Sequence, residues 1–454
     1  MLKFLKSTIS EDKLAAAKEH AIELAESDDI DACWNLLRPL RRAQRHQRDV
    51  AECLVDLVGR SLLPDDKGLE ILAEVFDAYR DDVNMMGAVG TALEGARDID
   101  QLNLPPPEHP LFAAVIEALG DAWQSVGDDA ELETTLLEGL STAARMTARQ
   151  HDDIAERSYQ RLVELDPTAS SNHYNLGLFY KTRGRFVDGM KANQTAASLS
   201  HEVVESYEWN TGICATGAGD AEVALAVWQH MQQKIEMGRF NLPDGGYPQC
   251  KVRLAERPLA ERTADNDNPG LEETIWIERI SPCHGIVRSV LFQELGVNYG
   301  DVVLIDGAPI TYHKYGDHEY PVFPHLATLL HRNYRIFDFA GTQDETGRLE
   351  DASLGLDGDA IVYSHTENYQ EVCANCWRDR ELDHECYAPE EKYVVVGKIA
   401  APAEQDLGVL IEQLDAAIAD RDPCRLYAPE LCRAAGLSDR AAIEQRRFDL
   451  LRNN

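Results

Sequence analysis

Four potential metal ligands are concentrated in one short stretch of the sequence. Cys373 and Cys376 form a Cys-x2-Cys pair, and His384 and Cys386 follow it closely. Two thiolates on a short loop can reach one ion, and a further His and Cys complete the tetrahedral set that zinc prefers. The pattern predicts a zinc site with the ligands Cys373, Cys376, His384 and Cys386. Reduced thiols in a hairpin and a redox-active cysteine pair remain the alternatives.

The role of such a zinc ion depends on how many ligands the protein supplies. Four protein ligands leave no open position, which favours a structural role. A catalytic role is suggested by His365–Thr366–Glu367, because His-x-Glu followed by Cys-x2-Cys is the signature of zinc deaminases. Here the two halves are too close together, and Val372 stands where that signature has proline. A metal-dependent enzyme of hydrolase or deaminase type, whose substrate is recruited by the N-terminal half of the chain, is the alternative interpretation. The sequence assigns no catalytic residue.

A second candidate for chemistry is the adjacent pair Cys283 and His284. A cysteine and a histidine can act together as a nucleophile and its base, but neighbouring side chains on an extended strand point to opposite faces. A turn after a strand is the alternative interpretation of this segment.

The N-terminal half of the chain must be mainly helical. Apolar residues recur at three- and four-residue spacing from residue 10 to about residue 237, for example at Leu69, Leu72, Val75 and Phe76. Residues 1–135 are predicted as a helical region that contains degenerate repeats or none. Within residues 136–238 the pattern repeats about every 35 residues, with units at 136–169, 170–204 and 205–238.

The repeated positions carry the same kinds of residues. Asn175–Leu176–Gly177 is matched by Asn210–Thr211–Gly212, and Gly184 is matched by Gly219. This pattern resembles the tetratricopeptide repeat (TPR), a helix-turn-helix unit of about 34 residues. Gly189, Asn193 and Thr211 depart from the usual residues of that repeat. A generic helical bundle is the alternative.

The resemblance to TPR proteins implies a protein-interaction scaffold. Stacked units form a superhelix whose first helices line a concave groove. The predicted partner-binding residues are Tyr174, Asn175, Leu178, Lys181, Trp209, Asn210 and Ile213. In TPR proteins an asparagine at the shared position bonds the backbone of a bound peptide, which implies that role for Asn175 and Asn210. Packing of both side chains within the scaffold is the alternative.

After the repeats, the composition and the residue pattern of the sequence change twice. Residues 239–272 are rich in Pro, Gly, Asn and Asp and are predicted as a linker. Residues 273–454 contain short β-branched runs followed by helical patterns. They are predicted as a mainly antiparallel β domain, of α+β type, that carries the zinc site and is closed by C-terminal helices. Asp306–Gly307 is predicted as a hairpin-type turn.

The composition limits the partners. The 454 residues carry a formal net charge of −35. Such an acidic protein repels phosphate backbones and anionic membranes, and no Lys/Arg run is present, so nucleic acid and membrane are not expected as partners. The N-terminal residues lack the apolar run of a signal peptide, and no apolar stretch is long enough to span a bilayer. A cytoplasmic location is predicted, and the oligomeric state is left open.

Overall fold

The structure of the protein is a computed structural model, which describes residues 9–27, 29–63, 65–96, 109–147, 149–316, 318–372 and 390–452. Contacts divide the chain into two compact units. Unit 1 comprises Met1–Gly270, Ile280–Cys283 and Leu304–Ala327. Unit 2 comprises Leu271–Arg279, His284–Val303 and Thr328–Asn454.

The described elements follow one another along the chain as helices first and strands later. The helices are α1 (Glu11–Glu26), α2 (Ile30–Ala43), α3 (Arg48–Gly59), α4 (Asp65–Ala78), α5 (Val83–Ala92), α6 (Pro110–Gln124), α7 (Ala130–Met146), α8 (Asp152–Leu165), α9 (Ser170–Thr182), α10 (Phe186–Leu199), α11 (Glu205–Gly217), α12 (Ala221–His230), α13 (Leu407–Ala419), α14 (Pro429–Ala434) and α15 (Ser438–Arg452). The strands are β1 (Glu236–Met237), β2 (Pro243–Asp244), β3 (Cys250–Ala255), β4 (Glu272–Arg279), β5 (His284–Val287), β6 (Val302–Ile305), β7 (Thr311–Tyr315), β8 (His318–Leu330), β9 (Arg335–Gln343), β10 (Ile361–Val372), β11 (Glu390–Ala401) and β12 (Arg425–Tyr427). The predicted fold class, a helical solenoid followed by a strand-rich α+β region, is confirmed.

Several helices of unit 1 start at an aspartate cap. A carboxylate at this position accepts a backbone N–H that the first helical turn leaves unpaired, which is worth about 1 kcal/mol. The capping carboxylates are Asp29, Asp82, Asp129 and Asp220. These residues explain why the helices begin where they do after short polar turns.

Helices α1 to α9 of unit 1 share one hydrophobic core. A continuous cluster of buried apolar side chains extends from Ala21 in α1 to Tyr180 in α9. Leu37, Leu54 and Leu119 belong to it and are fully buried. Burying one such side chain contributes roughly 1.5–3 kcal/mol, so the stacking of successive helices provides most of their stability.

The repeat region consists of helical hairpins with the features of TPR units. Gly177 in α9 lies against Asn193 of α10, and Gly212 in α11 lies against the Trp228 ring of α12. A Cβ on Gly212 would lie 2.4 Å from Trp228 Cζ2, so only glycine permits this approach. Gly184 and Gly219 occupy the two intervening turns with φ of 72° and 76°, a conformation that glycine adopts without strain. The repeat pattern of the sequence therefore encodes the close packing within each hairpin.

The segment 239–272, indicated as a linker by the sequence, contains regular structure. In β3, Cys250, Val252 and Leu254 are buried while Lys251 and Arg253 are partly exposed, the alternation expected of a half-buried strand. Strand β3 pairs in parallel with β8. Asp267 accepts a hydrogen bond from the backbone N–H of Arg149 at 2.6 Å, which holds the segment against the helices of unit 1.

Unit 2 is built around an antiparallel sheet whose strands follow the order β10-β11-β9-β12. Helices α13 and α14 supply the apolar side chains that cover it, and they form one core with the sheet. Fully buried members of this core include Phe339, Val395, Ile399 and Leu410. In α15, the Glu444 carboxylate accepts the backbone N–H of Ala428 at 2.8 Å, which fixes the loop before α14.

Candidate functional site

The predicted partner-binding residues of α9 and α11 converge on a cavity in unit 1 with a volume of about 570 Å³. A volume in this range is typical of binding pockets in proteins. Five of the seven predicted residues line it, namely Tyr174, Leu178, Lys181, Trp209 and Asn210. In α9 the four- and three-residue spacing of Tyr174, Leu178 and Lys181 places them on one face of the helix, whereas Trp209 and Asn210 are neighbours in α11.

Aromatic and aliphatic side chains form much of the cavity wall. The Tyr174 ring lies 4.9 Å from the ring of Tyr207, and Trp209 contacts Trp228 with ring centroids 5.3 Å apart. Leu178, Leu259 and Ala308 complete the apolar part. Because Trp228 is fully buried, it holds the Trp209 indole in place. The wall is suited to a bulky apolar group of a ligand.

A buried polar network lies at the cavity. The Lys181 Nζ donates hydrogen bonds to Asn210 Oδ1 at 2.7 Å and to Asp306 Oδ1 at 2.8 Å. Asp306 Oδ1 also accepts the backbone N–H of Gly307 at 2.7 Å. An ammonium carries three donors and an amide nitrogen carries two, so Lys181 keeps one N–H and Asn210 keeps its Nδ2 without a partner in the described part of the chain.

The segment after β6 forms part of the cavity wall. A Cβ on Gly307 would lie 1.6 Å from Trp209 Nε1, so the backbone reaches the indole only because this residue is glycine. Trp209 Nε1 is buried and has no hydrogen-bond partner among the described residues. Strand β7 pairs with β8 and not with β6. The prediction of a hairpin-type turn at Asp306–Gly307 is therefore wrong, because these residues contact α9 and α11 instead.

The rim of the cavity carries further charges. Arg145 forms an ion pair with Glu94. Burial opposes the charge of the Arg145 guanidinium, but Tyr159 and Glu94 outweigh it and raise the pKa of Arg145 above its ordinary value. Glu205, the first residue of α11, also lines the cavity.

The two remaining predicted residues lie elsewhere. Asn175 is exposed and is not part of the cavity lining. Ile213 is fully buried in the scaffold. Conversely, Leu259 and Asp306–Ala308 line the cavity from distant parts of the chain, although the sequence does not predict them there. No local signal marks them, because their position depends on tertiary contacts alone.

The predicted zinc ligands Cys373, Cys376, His384 and Cys386 lie outside the described residues. The flanking strands do pair: Val372 of β10 faces Glu390 of β11 in antiparallel register. Within residues 9–372 and 390–452, apart from the short gaps given above, no group of three or more His, Cys, Asp or Glu residues could hold a metal ion. Seven cysteines in these ranges are free thiols, and all seven are buried.

Glu367 and His365 of the deaminase-like pattern contact side chains and backbone from other segments of unit 2. One carboxylate oxygen of Glu367 accepts hydrogen bonds from Gln343 Nε2 at 3.0 Å and from the Gly347 N–H at 3.2 Å. The His365 ring lies 3.9 Å from the Phe292 ring, and burial, assisted by Lys398, lowers the pKa of His365. These contacts give Glu367 a structural role in unit 2.

The Cys283 thiol is also hydrogen-bonded within unit 1. Cys283 is fully buried in unit 1, and its Sγ donates to Thr216 Oγ1 at 3.4 Å. His284 begins β5 of unit 2 and is buried there. A thiol in this position is shielded from a substrate.

Comparison with known proteins gives matches at the level of solved structures. No protein-family model matches the sequence, and no curated protein matches it. A crystal structure of the MamA protein is 14% identical and covers 47% of this chain and 90% of its own, with a TM-score of 0.27. A structure of pilF from Pseudomonas aeruginosa is 13% identical and covers 48% of this chain and 92% of its own, with a TM-score of 0.30. A further MamA structure is 18% identical, covers 36% and 85% of the two chains, and has a TM-score of 0.27.

None of the described helices combines the length and the apolarity that crossing a bilayer requires.

Proposed function

We propose that the protein is an interaction scaffold that binds an extended peptide segment of a partner protein in the cavity of unit 1. The observation that carries this proposal is the convergence of Tyr174, Leu178, Lys181, Trp209 and Asn210 on one cavity of about 570 Å³. An apolar wall with a few polar groups is the usual composition of a ligand site.

The polar groups at the cavity suit a peptide backbone. The Asn210 Nδ2 and the third N–H of Lys181 are donors that a peptide carbonyl could accept from. The aromatic wall of Tyr174 and Trp209 suits a large side chain, and such contacts provide much of the affinity of protein interfaces. A segment with one bulky side chain and free backbone carbonyls would fit both the polar donors and the aromatic wall.

The test starts from a peptide library displayed on phage and selected on the full-length protein. The affinity of an enriched synthetic peptide is then measured by fluorescence anisotropy with the wild-type protein and the variants Leu178→Gln and Asn210→Ala. Each variant should weaken binding about fivefold or more, since an apolar contact or a hydrogen bond is lost. Thermal melts identify any variant that does not fold.

The chain provides a matched control for Asn210. Asn175 occupies the equivalent repeat position but is exposed and lies outside the cavity lining. Asn175→Ala should therefore leave the affinity unchanged. If Asn175→Ala weakens binding as much as Asn210→Ala, or if Leu178→Gln and Asn210→Ala both fold and bind normally, the proposed site is wrong.

The zinc prediction is retained as part of this proposal, with zinc as a structural ion held by Cys373, Cys376, His384 and Cys386. The pairing of Val372 with Glu390 supports it, because it brings together the two chain ends that lead into the cysteine-rich segment. A cytoplasmic location is also proposed, since seven free buried thiols are typical of proteins in a reducing compartment.

A further inference from the structure

The charges around the cavity in unit 1 leave one carboxylate uncompensated. Two cations and three carboxylates line the cavity: Arg145, Lys181, Glu94, Glu205 and Asp306. Arg145 pairs with Glu94, and Lys181 pairs with Asp306. Glu205 forms no ion pair or side-chain hydrogen bond with any other described residue. The cavity therefore presents a net negative charge at Glu205.

The position of Glu205 makes this charge available to a ligand. It is exposed at the start of α11, one turn before Trp209, so its carboxylate and the indole lie on the same side of the helix. The Tyr174 ring also lines the cavity, and an aromatic face attracts a cation. A cation and an apolar group on adjacent parts of a ligand would meet complementary partners here.

The net charge of the whole protein also favours a basic ligand. A net charge of −35 attracts basic segments and repels acidic ones before any contact is made. The two cations of the cavity do not reverse this preference, because each is neutralised by its own carboxylate.

We infer that the partner segment carries a lysine or arginine next to a bulky apolar residue. The cation pairs with Glu205, and the apolar side chain lies against Leu178, Trp209 and Ala308. This inference rests on the proposed function and adds the chemistry of the partner to it.

The test uses four pools of short peptides labelled with fluorescein at the N-terminus. Each pool has tryptophan or serine at one central position, lysine or glutamate at the next, and equimolar mixtures at the flanking positions. Anisotropy is measured with the full-length protein at low and at physiological salt. The pool with tryptophan and lysine should bind about fivefold more tightly than the pool with tryptophan and glutamate, and the difference should shrink as salt increases.

Two substitutions separate the contributions. Glu205→Gln should strongly reduce the preference for lysine, leaving only the weaker attraction of the overall net charge. Leu178→Gln should strongly reduce the preference for tryptophan. Glu202→Gln is the control for Glu205→Gln, because Glu202 is exposed and absent from the cavity lining. It should leave the preference for lysine intact.

The outcomes distinguish this inference from the proposed function. If tryptophan pools bind in a manner that depends on Leu178 but show no preference for lysine, the inference is overturned and the peptide-binding function stands. The same holds if Glu205→Gln and Glu202→Gln reduce the preference equally. If no pool binds to the folded protein, the inference and the proposed peptide-binding function are both wrong.

Discussion

The ammonium of Lys181 lies 2.8 Å from a carboxylate oxygen of Asp306, a residue 125 positions further along the chain. Lys181 is 3% exposed, so its ammonium is largely shielded from bulk water. It joins α9 of the repeats to the segment after β6, and Asn210 of α11 completes the network. The polar part of the candidate site is thus also a structural link within unit 1.

Removing one of the two charged partners should destabilise the protein. We expect Lys181→Met to lower the free energy of unfolding by about 3 kcal/mol, because it leaves the largely buried Asp306 carboxylate, 14% exposed, without its cation. The measurement is urea denaturation followed by tryptophan fluorescence. Asp306→Asn should also be destabilising, since Lys181 then keeps a buried charge without a counter-ion.

The double variant with Lys181→Met and Asp306→Asn provides the control. Its loss of stability should be smaller than the sum of the two single losses by about 1 kcal/mol or more, as expected for residues in direct contact. Losses that add up within about 0.5 kcal/mol would show that the two side chains do not interact.

Gly307→Ala should disturb the cavity by a steric route. The added methyl group would lie 1.6 Å from Trp209 Nε1, so the loop or the indole must move. Overpacking of this kind costs about 1–3 kcal/mol. Hydrogen exchange measured by mass spectrometry should show faster exchange in the loop around Gly307 and in α11.

Gly120→Ala is the matched control for that change. Gly120 lies inside α6, and a Cβ there would meet no atom within 4 Å. This substitution should stabilise the protein by about 0.5–1 kcal/mol, because alanine favours the helix over glycine. Normal stability and exchange in Gly307→Ala would contradict the contact with Trp209.

The buried thiols predict a loss of stability at high pH. Burial raises the pKa of Cys214 from its ordinary value of 9.0 to about 12 and that of Cys432 to about 11, where Glu444 contributes as well. An unfolded thiol loses its proton near 9, whereas the folded one keeps it. The stabilisation is therefore full below pH about 9 and is lost as the pH rises towards about 11 or 12.

Between these values each thiol should reduce the free energy of unfolding by about 1.4 kcal/mol per pH unit. The measurement is the urea midpoint of the wild-type protein and of Cys214→Ala across this range. The wild-type protein should lose stability more steeply than the variant. Equal slopes would show that the Cys214 thiol ionises equally readily in both states.

The zinc hypothesis predicts about one zinc ion per chain in the full-length protein purified without chelator, measured by plasma mass spectrometry. Cys373→Ser and His384→Gln should each lower this content strongly. His331→Gln is the control, because His331 is exposed, pairs with Asp301 and is not one of the predicted ligands. Wild-type protein without zinc, or unchanged zinc content in Cys373→Ser, would refute the site.

The sequence predicts the structure of the repeats because the residues that determine each helical hairpin lie close together in the chain. Glycines at matching positions predict the close approach of α9 to α10 and of α11 to α12. The β-branched and aromatic runs at 274–280, 301–305, 334–339, 360–363 and 393–396 predict β4, β6, β9, β10 and β11. Strand β8 is not predicted by this pattern. It contains Pro321 and Pro324, and proline is normally a sign against a central strand.

The candidate site was predictable only in part. Periodicity identifies the face of each helix, which suffices for Tyr174, Leu178 and Trp209. It cannot distinguish Asn175 from Asn210, which are equivalent in the repeat. Only Asn210 meets Lys181, whose ammonium is held by Asp306 from a distant segment. Long-range pairing of this kind leaves no trace in local spacing.

The contribution of residues 306–308 to the cavity has a consequence for biosynthesis. A ribosome makes α9 and α11 long before it reaches Asp306, so the nascent repeats emerge with the Lys181 ammonium still lacking its counter-ion. The cavity can take its final form only after roughly the first two thirds of the chain has been translated. A fragment that ends near residue 240 would stay at this incomplete stage permanently.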